Sequence, residues 1–346
     1  MKKVFTYSGV SLIFVFSFFN NCSNKSNDLQ NHFYKEVVLN KFDSIRLENY
    51  DVLNPVYLSC TDSFIVIQNR GTENNLSLID KNLSFTLNTA QKGDGPNEIV
   101  QFIFVKNNRN NIITFADRAK RKMYSLKIDK KNVDLIDEIH FDSDIPRFFS
   151  LSELNDSILI GTGMFPDGRF AIYNKKNHRV HYAGIYPRND ESKQLTFPHI
   201  AALYSGTQIG LNPNGNYFAA IYNGLLDIYK LNTDNTLMHV KSNYYHFPKF
   251  LVLENGPIIG NSKETIEGFR SISCDSNYIY LLYSGKSMKE YEMNAFTGNR
   301  IYVYNWQGEP AISYLVDSNI KSIFIKDKII WGIDKDGFFI YKYLME

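Results

Sequence analysis

Six basic side chains stand out in this chain because they lie in or beside turns and could act together on an anion. Arginine forks bind carboxylates through paired hydrogen bonds, so several of them around one opening would hold a carboxylate or an acidic sugar. The candidates for this anion-binding rim are Arg70, Arg118, Arg147, Arg169, His199 and Arg270. The hypothesis requires a fold that brings these distant residues to one face.

A run of basic residues beside one turn supports the same hypothesis but has a second interpretation. Arg118 is followed closely by Lys120, Arg121 and Lys122. The run is either a solvated loop, as most charge clusters are, or part of the anion-binding rim.

Two further motifs resemble ligand-binding loops but lack required parts. Gly93-x-Gly95 has neither the Lys-Ser/Thr ending nor the helix of a phosphate loop, and Pro96 removes a backbone donor. Asp334-Lys-Asp336-Gly337 is a fragment of a calcium loop without the rest of the ligand spacing. Both segments are predicted to be turns.

Metal and nucleophile motifs are also incomplete. His178 and His181 form the closest histidine pair, and a spacing of three puts them on opposite faces of a strand. The sequence lacks Gly-x-Ser-x-Gly, His-Glu-x-x-His and Cys-x-x-Cys, although a catalytic triad assembled from distant segments stays open. We therefore predict no catalytic residue, no metal and no cofactor.

The composition excludes several classes of protein. Hydrophobic residues make up 44% and aromatic residues 15% of the 346 residues, which is too apolar for a disordered chain. Lys and Arg total 38 against 36 Asp and Glu, so a nucleic-acid partner is not expected. Three cysteines cannot build a disulfide scaffold, and Cys60 and Cys274 are expected to be buried free thiols. The aromatic excess fits either carbohydrate stacking or the preference of strands for Tyr and Phe.

The N-terminus has the layout of a secretory leader. A basic start precedes an apolar run from Val4 to Phe19, which is shorter than a typical membrane span. Cys22 follows as in a bacterial lipobox, although Asn21 stands where Gly, Ala or Ser is usual. We predict a lipoprotein signal peptide over residues 1–21 and lipidation of Cys22. An uncleaved anchor, or ordinary cleavage with a free thiol, is the alternative.

The segment after this cysteine is polar and Asn-rich. Residues 22–35 are therefore predicted to be a tether between the lipid and a folded domain over residues 36–346.

One pattern recurs through that domain: an apolar strand, a tight turn rich in Gly, Asn and Asp, and a second strand. These turns favour hairpins, because Gly, Asn and Asp tolerate positive φ. The first strands are Phe64–Ile67, Ile112–Phe115, Ile158–Gly161, Tyr217–Ile221, Tyr278–Leu282 and Ile329–Gly332. The partner strands are predicted to begin near Leu76, Lys122, Arg169, Leu225, Met288 and Phe338. Ser284-Gly285 is expected to be the turn of the fifth hairpin.

Flanking strands complete each unit. One precedes each hairpin, and an outer strand, such as Arg300–Trp306 in the fifth unit, follows most of them. Four antiparallel strands repeated six times predict an all-β, six-bladed β-propeller. The last unit lacks an outer strand, so the N-terminal stretch Glu36–Leu47 is predicted to complete the sixth blade and close the ring. Seven blades or a pair of β-sandwiches are the alternatives. The long intervals 186–212 and 245–268 are expected to hold loop insertions.

Several of these segments resemble a known family. Leu76–Asp80 followed by Gly93-Asp-Gly-Pro-Asn-Glu98 is similar to a Gly-x-Gly-Pro-Gly-Glu stretch of TolB-like, NHL-like six-bladed propeller lipoproteins of Gram-negative gut anaerobes, with Asn97 replacing a Gly. Ile301–Pro310 with Ile320–Ile333, and the turn Asn212–Gly215, resemble this family as well. The resemblance implies a propeller fold and an envelope location, and it implies no catalytic residues.

These observations lead to one functional prediction and its alternatives. We expect an outer-membrane lipoprotein of the cell envelope, non-catalytic, that binds a protein, peptide or glycan partner. A polysaccharide-acting hydrolase or lyase with its site at the channel mouth is the runner-up, and a structural subunit of a larger assembly is a third possibility. The fold alone does not decide between them.

Overall fold

The computed structural model describes residues 29–129, 132–252 and 259–345, and these are built mainly from short antiparallel strands. The predicted lipidation site, Cys22, lies outside the described residues. The strands are β1 (Glu36–Leu39), β2 (Asp43–Arg46), β3 (Pro55–Cys60), β4 (Phe64–Asn69), β5 (Asn74–Asp80), β6 (Thr86–Gln91), β7 (Phe102–Lys106), β8 (Ile112–Asp117), β9 (Lys122–Asp129), β10 (Asn132–His140), β11 (Phe148–Asn155), β12 (Ile158–Gly163), β13 (Phe170–Asn174), β14 (Arg179–Ala183), β15 (Gln208–Leu211), β16 (Tyr217–Tyr222), β17 (Gly224–Leu231), β18 (Leu237–His246), β19 (Phe250–Val252), β20 (Ile259–Asn261), β21 (Ile266–Cys274), β22 (Tyr278–Ser287), β23 (Gly298–Asn305), β24 (Pro310–Lys326), β25 (Ile329–Asp334) and β26 (Phe339–Leu344).

The strands form six antiparallel blades, which confirms the predicted propeller. Strands β3–β6, β7–β10, β11–β14 and β15–β18 make blades 1 to 4. Strands β21 to β23 and the first half of β24 make blade 5, and the second half of β24 with β25, β26 and β2 makes blade 6. Blades 2 and 3 also touch at the axis, where β7 and β11 pair in parallel.

The N-terminal stretch closes the ring, as predicted, but it does so with two strands. β2 pairs antiparallel with β26 and supplies the outer strand of blade 6. β1 instead pairs in parallel with the first half of β24, at the outer edge of blade 5. The predicted single strand Glu36–Leu47 is thus divided between neighbouring blades, which joins the two ends of the chain across a blade boundary.

The fifth hairpin differs from the prediction in its turn and its partner strand. β22 continues through Ser284-Gly285 to Ser287, and Gly285 has φ +71° inside the strand. Helix α2 (Met288–Tyr291) stands where the partner strand was expected, and the true partner, β23, begins at Gly298. The segment Arg300–Trp306 therefore lies in the third strand of blade 5, and the outer strand is β24.

Part of the predicted tether lies on the propeller. Leu29–His32 form a short 3-10 helix, and Leu29 is buried with residues of blades 4 and 5. The ring of Phe33 stacks on Tyr302 with a centroid distance of 4.7 Å. Because this segment fills the groove between two blades, the chain is held at the propeller's side before β1 begins.

The core consists of layers between neighbouring blades. Leu58 and Ile67 of blade 1, for example, pack in one cluster with Ile333 and Ile340 of blade 6. Such layers are formed by alternate residues of facing sheets. In this radial arrangement the first strand of every blade lies at the central axis.

The two faces of the propeller carry different connections. We call the upper face the one where the chain enters each innermost strand and turns between the second and third strands; the other turns form the lower face. The upper face carries the long insertions 184–207 and 247–265, as predicted, and α2. The first insertion holds a 3-10 helix, Glu191–Gln194, and α1 (Phe197–Leu203). Two more 3-10 helices are Leu47–Tyr50 and Glu292–Phe296. Within the described ranges, no helix is long and apolar enough to cross a membrane.

Candidate functional site

Two cavities lie along the propeller axis, and one opens toward each face. The upper cavity, of about 380 Å³, is lined by the beginnings of the innermost strands and by residues 205–208 of the long insertion. The lower cavity, of about 60 Å³, is lined by the ends of those strands and includes Asn107, Asn108 and Cys274. The upper cavity alone has room for a ligand of several heavy atoms.

Three side chains line both cavities and form a constriction between them. The rings of Tyr57 and Phe104 lie with centroids 4.8 Å apart, and Lys106 Nζ lies 5.4 Å from the centre of the Tyr57 ring. We call this group the axial constriction. It comes from β3 and β7, whose alternating residues point to the axis.

Lys106 is the charged group of the constriction, and its bonds go to backbone carbonyls. Nζ donates to the Ile209 oxygen at 2.9 Å and more weakly to the Ile272 oxygen at 3.5 Å. None of the ion pairs formed among the described residues involves this ammonium. Burial without a carboxylate lowers the pKa of Lys106 to about 8.

The upper cavity combines cations, neutral polar groups and aromatic rings. Its cations are Lys106 and Arg70, and no Asp or Glu is among its described lining residues. The neutral polar residues are Tyr57, Gln68, Ser150, Ser205, Thr207 and Gln208. Phe102, Phe104 and Phe149 supply aromatic surface. The arrangement is suited to a compact anion that also carries hydroxyl groups and an apolar face.

One of the six predicted rim residues lines this cavity, and a second lies behind it. Arg70 lines it, and its side chain has no hydrogen bond or ion pair with the described residues. Arg118 lies behind it, with its guanidinium 4.7 Å from the centre of the Phe149 ring and Nε donating to Gln101 at 3.0 Å. Of the six candidates, Arg70 is thus the one whose side chain lines the upper cavity.

Arg169 has a structural role instead. Its side chain is completely buried between blades 3 and 4, and Nη1 donates to Asp227 Oδ2 at 2.5 Å. The guanidinium also lies over the ring of Tyr204, 5.6 Å from its centre. A fully buried guanidinium with a carboxylate partner cannot serve an open rim.

The other three predicted residues do not reach the axial cavity with their side chains. Arg270 pairs with Glu267 at 2.6 Å and lies over the Phe296 ring. Arg147 lines a separate, very small cavity beside Arg118. His199 lies on α1, where Nδ1 is 2.8 Å from Thr196 Oγ1. The structure thus divides the predicted ring of six into separate local contacts.

The basic run beside the second hairpin turn holds local structure. Lys120 Nζ donates to the carbonyl oxygens of Gly95 and Glu98, at 2.6 and 2.9 Å. Arg121 donates to backbone carbonyls of residues 141–145, and Lys122 pairs with an exposed glutamate. These contacts account for three of the four charges without a ligand.

The turn that carries the family resemblance is also structural. Glu98 Oε2 accepts a hydrogen bond from the Gly95 amide at 2.8 Å. A Cβ at Gly93 would lie 2.0 Å from the same oxygen, so this position needs a glycine. The Gly93–Glu98 loop therefore folds around its own carboxylate and offers no open phosphate cradle, as the turn prediction requires.

The remaining motifs form local contacts. Asp334 accepts hydrogen bonds from the amides of Asp336 and Phe339 and shapes the last hairpin turn. His178 and His181 are exposed and contact Tyr173 and the Asn235 carbonyl respectively. Across the described part of the chain, no group of three His, Cys, Asp or Glu is placed to hold a metal ion. The described cysteines, Cys60 and Cys274, are free thiols.

A serine, a histidine and an aspartate do meet on blade 4, but not in catalytic order. His239 Nε2 lies 2.8 Å from Ser242 Oγ and 3.6 Å from Asp227 Oδ1, and Ser242 Oγ donates to that same carboxylate oxygen at 2.5 Å. In a hydrolytic triad the histidine stands between the other two and uses both ring nitrogens. Here one nitrogen faces both partners, so the group stabilises the buried Asp227.

Exposed apolar side chains are concentrated on the upper face. The upper-face residues, which we call the apolar rim, are Leu53, Val100, Phe149, Met164, Ile185, Leu251, Val252, Ile266, Tyr291, Met293 and Phe338. Ile185 and Met293 are 86% and 72% exposed. The lower face has fewer such residues: Leu83, Met238, Tyr278 and Leu344 lie at its turns or strand ends and are 38% to 58% exposed. Apolar surface concentrated on one face is typical of a docking surface.

Sequence reasoning missed Lys106 and the apolar rim. Lys106 ends an apolar strand, where a lysine normally marks the solvent, and only closure of the ring puts it on the axis. The rim residues are scattered over most of the chain in segments that differ in length and structure. Their only shared feature in the sequence is that each lies in or next to a connection of the upper face.

The chain was compared with known proteins and families. No curated protein matches the chain. Among solved structures, it is similar to the β-propeller domain of Cps50 (Swd1) from Myceliophteria thermophila, with 10% identity, coverage of 89% of this chain and 100% of the other, and a TM-score of 0.44. It is also similar to BamB from Moraxella catarrhalis, with 7% identity, coverage of 83% and 71%, and a TM-score of 0.40. A family profile described as "TolB-like 6-blade propeller-like" matches residues 34–328, and the chain therefore belongs to the TolB-like six-bladed propeller family.

Proposed function

We propose that this protein is an envelope-anchored, non-catalytic lipoprotein whose propeller binds a protein partner through its upper face. A propeller of the TolB-like family points to a binding or scaffold role, and such propellers are typically associated with the cell envelope. The observation that carries the proposal is the apolar rim, which concentrates exposed apolar side chains on the upper face.

The chemistry of the upper face suits a protein partner. Met293 and Ile185 offer exposed apolar surface at separate upper-face connections, and Arg70 adds an unpaired guanidinium near the centre. Protein interfaces are enriched in aromatic residues, Met and Arg around an apolar centre. Burial of this rim would gain free energy without requiring a catalytic group.

The anchor proposed at Cys22 would hold the propeller by its side. Six residues separate Cys22 from Leu29, and that length spans at most about 25 Å. Leu29 packs between blades 4 and 5, at the propeller's edge. An acyl anchor would then bring this edge to the membrane and leave the upper face free for a partner.

Affinity capture of the full-length protein from its native membrane tests the binding proposal. Quantitative mass spectrometry would compare the wild type with Ile185→Ser/Met293→Ser and with the lower-face control Leu83→Asn/Met238→Ser. We expect a stoichiometric partner that the upper-face variant loses and the control keeps. Equal capture by all three proteins would contradict the proposal, as would turnover of a glycan by the purified wild type.

The lipid anchor has a separate test. Cys22→Ser should release the protein from the membrane fraction and abolish incorporation of a labelled fatty acid. Membrane retention and labelling equal to those of the wild type would refute lipidation at this residue.

A further inference from the structure

The upper cavity on the axis has an unusual charge balance. It contains the cations Lys106 and Arg70 and no carboxylate among its described lining residues. Arg70 is exposed to solvent, but Lys106 is only partly accessible, and a cation withdrawn from water is normally paired because it otherwise loses hydration without compensation. Lys106 has no charged partner in the described part of the protein.

The hydrogen bonds of Lys106 also leave part of its ammonium group available to a ligand. An ammonium has three N–H donors. Two of them are used by the carbonyl oxygens of Ile209 and Ile272, the second at a long 3.5 Å. One donor and the full positive charge remain for whatever occupies the cavity.

The titratable neighbours of Lys106 cannot neutralise it. Burial raises the pKa of the Tyr57 phenol and of the Cys274 thiol, so both stay uncharged where the ammonium is charged. The elements β15 and β21 otherwise present backbone carbonyls, and Arg70 adds a second positive charge. An anionic ligand would supply the countercharge that these neighbours do not.

The rest of the lining narrows the chemical class of that ligand. The Ser150 hydroxyl and the Gln68 amide, which make no side-chain hydrogen bond among the described residues, offer both donors and acceptors, as hydroxyl-bearing ligands require. Phe149, which is 43% exposed, supplies a ring on which a sugar can stack. A bare inorganic anion would use the two cations but leave these groups without partners.

We propose that the upper cavity is a binding site for a sugar acid, in which Lys106 and Arg70 hold the carboxylate and Phe149 contacts the ring. The inference goes beyond the proposed function, because it assigns a small ligand to the axial cavity, and the partner test uses Ile185 and Met293, which do not line that cavity. At about 380 Å³ the cavity fits one hexuronate unit.

Isothermal titration calorimetry of the full-length protein with D-glucuronate tests the site. D-Glucose is the matched ligand without the carboxylate, and acetate and sulfate are anions without the ring. We expect glucuronate to bind at least about tenfold more tightly than any of the three. Lys106→Met and Arg70→Gln should each weaken binding about tenfold or more, because each removes a charge-assisted hydrogen bond. Arg147→Gln, which changes an arginine outside the cavity, should bind like the wild type.

Three other results would refute the proposed site or its ligand class. Absence of glucuronate binding at millimolar concentrations, or unchanged binding by both Lys106→Met and Arg70→Gln, refutes it. Sulfate binding as tight as glucuronate refutes the sugar-acid class. Arg70 lies at the surface, so Arg70→Gln keeps the test valid if Lys106→Met does not fold. A protein that captures its partner through Ile185 and Met293 but binds no glucuronate loses only this inference.

Discussion

The upper and lower faces of this propeller are made by the same strands, yet they differ in nearly every respect. Lower turns are short and are satisfied by their own side chains. Asn155 Oδ1, for example, accepts from the amides of Ser157 and Ile158, at 2.9 and 3.0 Å. Asp275 does the same for Asn277 and Tyr278, both at 2.7 Å. Such Asx turns close a hairpin and leave few groups for a partner.

Upper connections are longer and carry what the fold does not need. They hold both long insertions, the apolar rim and the entrance to the axial cavity. Turns that only reverse the chain are short and polar and are satisfied by their own side chains, as on the lower face. Exposed apolar side chains and an unpaired buried cation cost stability, and their presence on one side indicates a function there.

The largest expected effect concerns a predicted rim residue that the structure makes part of the scaffold. Asp227→Ala should lower the free energy of unfolding by about 3–5 kcal/mol, because it leaves the buried Arg169 guanidinium without its carboxylate. Urea unfolding measures this loss. Asp190→Ala, which removes a highly exposed ion pair on the same face, should cost less than about 0.5 kcal/mol. Similar small costs for both variants would show that Arg169 is not a structural residue.

The next effect has the opposite sign and separates function from stability. Lys106→Met should raise the free energy of unfolding at pH 7 by about 3 kcal/mol, because burial lowers the pKa of Lys106 from 10.5 to about 8 and one pKa unit corresponds to about 1.4 kcal/mol. The folded protein binds this proton more weakly than the unfolded chain does. The penalty is therefore complete below pH 8 and disappears as the pH rises toward 10.5, the ordinary lysine value.

Urea titrations of the wild type and Lys106→Met at a series of pH values measure that penalty. The stability difference between the two proteins should shrink from pH 8 upward. A variant that is less stable than the wild type at pH 7 would contradict the view that Lys106 is retained for a ligand.

A smaller effect, on binding alone, tests the two faces against each other. Ile185→Ser/Met293→Ser should weaken partner binding by about tenfold, since a few buried apolar contacts carry about 1.4 kcal/mol or more. Neither side chain is buried in the free protein, so the unfolding midpoint should stay constant. Surface plasmon resonance with the captured partner measures the change. A loss equal to that of the lower-face control Leu83→Asn/Met238→Ser would remove the distinction between the faces.

The smallest effect concerns the backbone of a lower turn. Leu83 has φ +60°, a left-handed conformation that Asn adopts more readily than Leu. Leu83→Asn alone should therefore stabilise the protein by about 0.5 kcal/mol without changing partner binding. Thermal unfolding measures the gain, and destabilisation would mean that this lower-face side chain has a role beyond its turn.

The sequence predicts the features that depend on local residues. Five of the six hairpins follow apolar strands with Gly, Asn or Asp turns, as at Asn223 with φ +53°. The same local signal fails at Gly285, because a positive φ inside a strand has the turn's composition without reversing the chain. A pattern that turns and strand irregularities share cannot distinguish them.

The candidate site depends on long-range closure, and the sequence predicts less of it. Arg169 meets Asp227, 58 positions away, and that carboxylate converts a predicted ligand-binding residue into a core residue. Lys106 reaches the axis only when β7 and β15 come together, since its carbonyl partner is Ile209. Arg70 lies at the channel mouth because its turn position defines its face.

Site-specific photo-cross-linking in intact cells tests the central claim most directly, that binding belongs to the upper face. A photoreactive amino acid would replace Ile185 or Phe338 on the upper face and Leu83 or Asn214 on the lower face, and adducts would be quantified by mass spectrometry. We predict that the two upper positions yield the same protein adduct and that the two lower positions yield none. Adducts of equal yield from both faces, or from the lower face alone, would contradict the account.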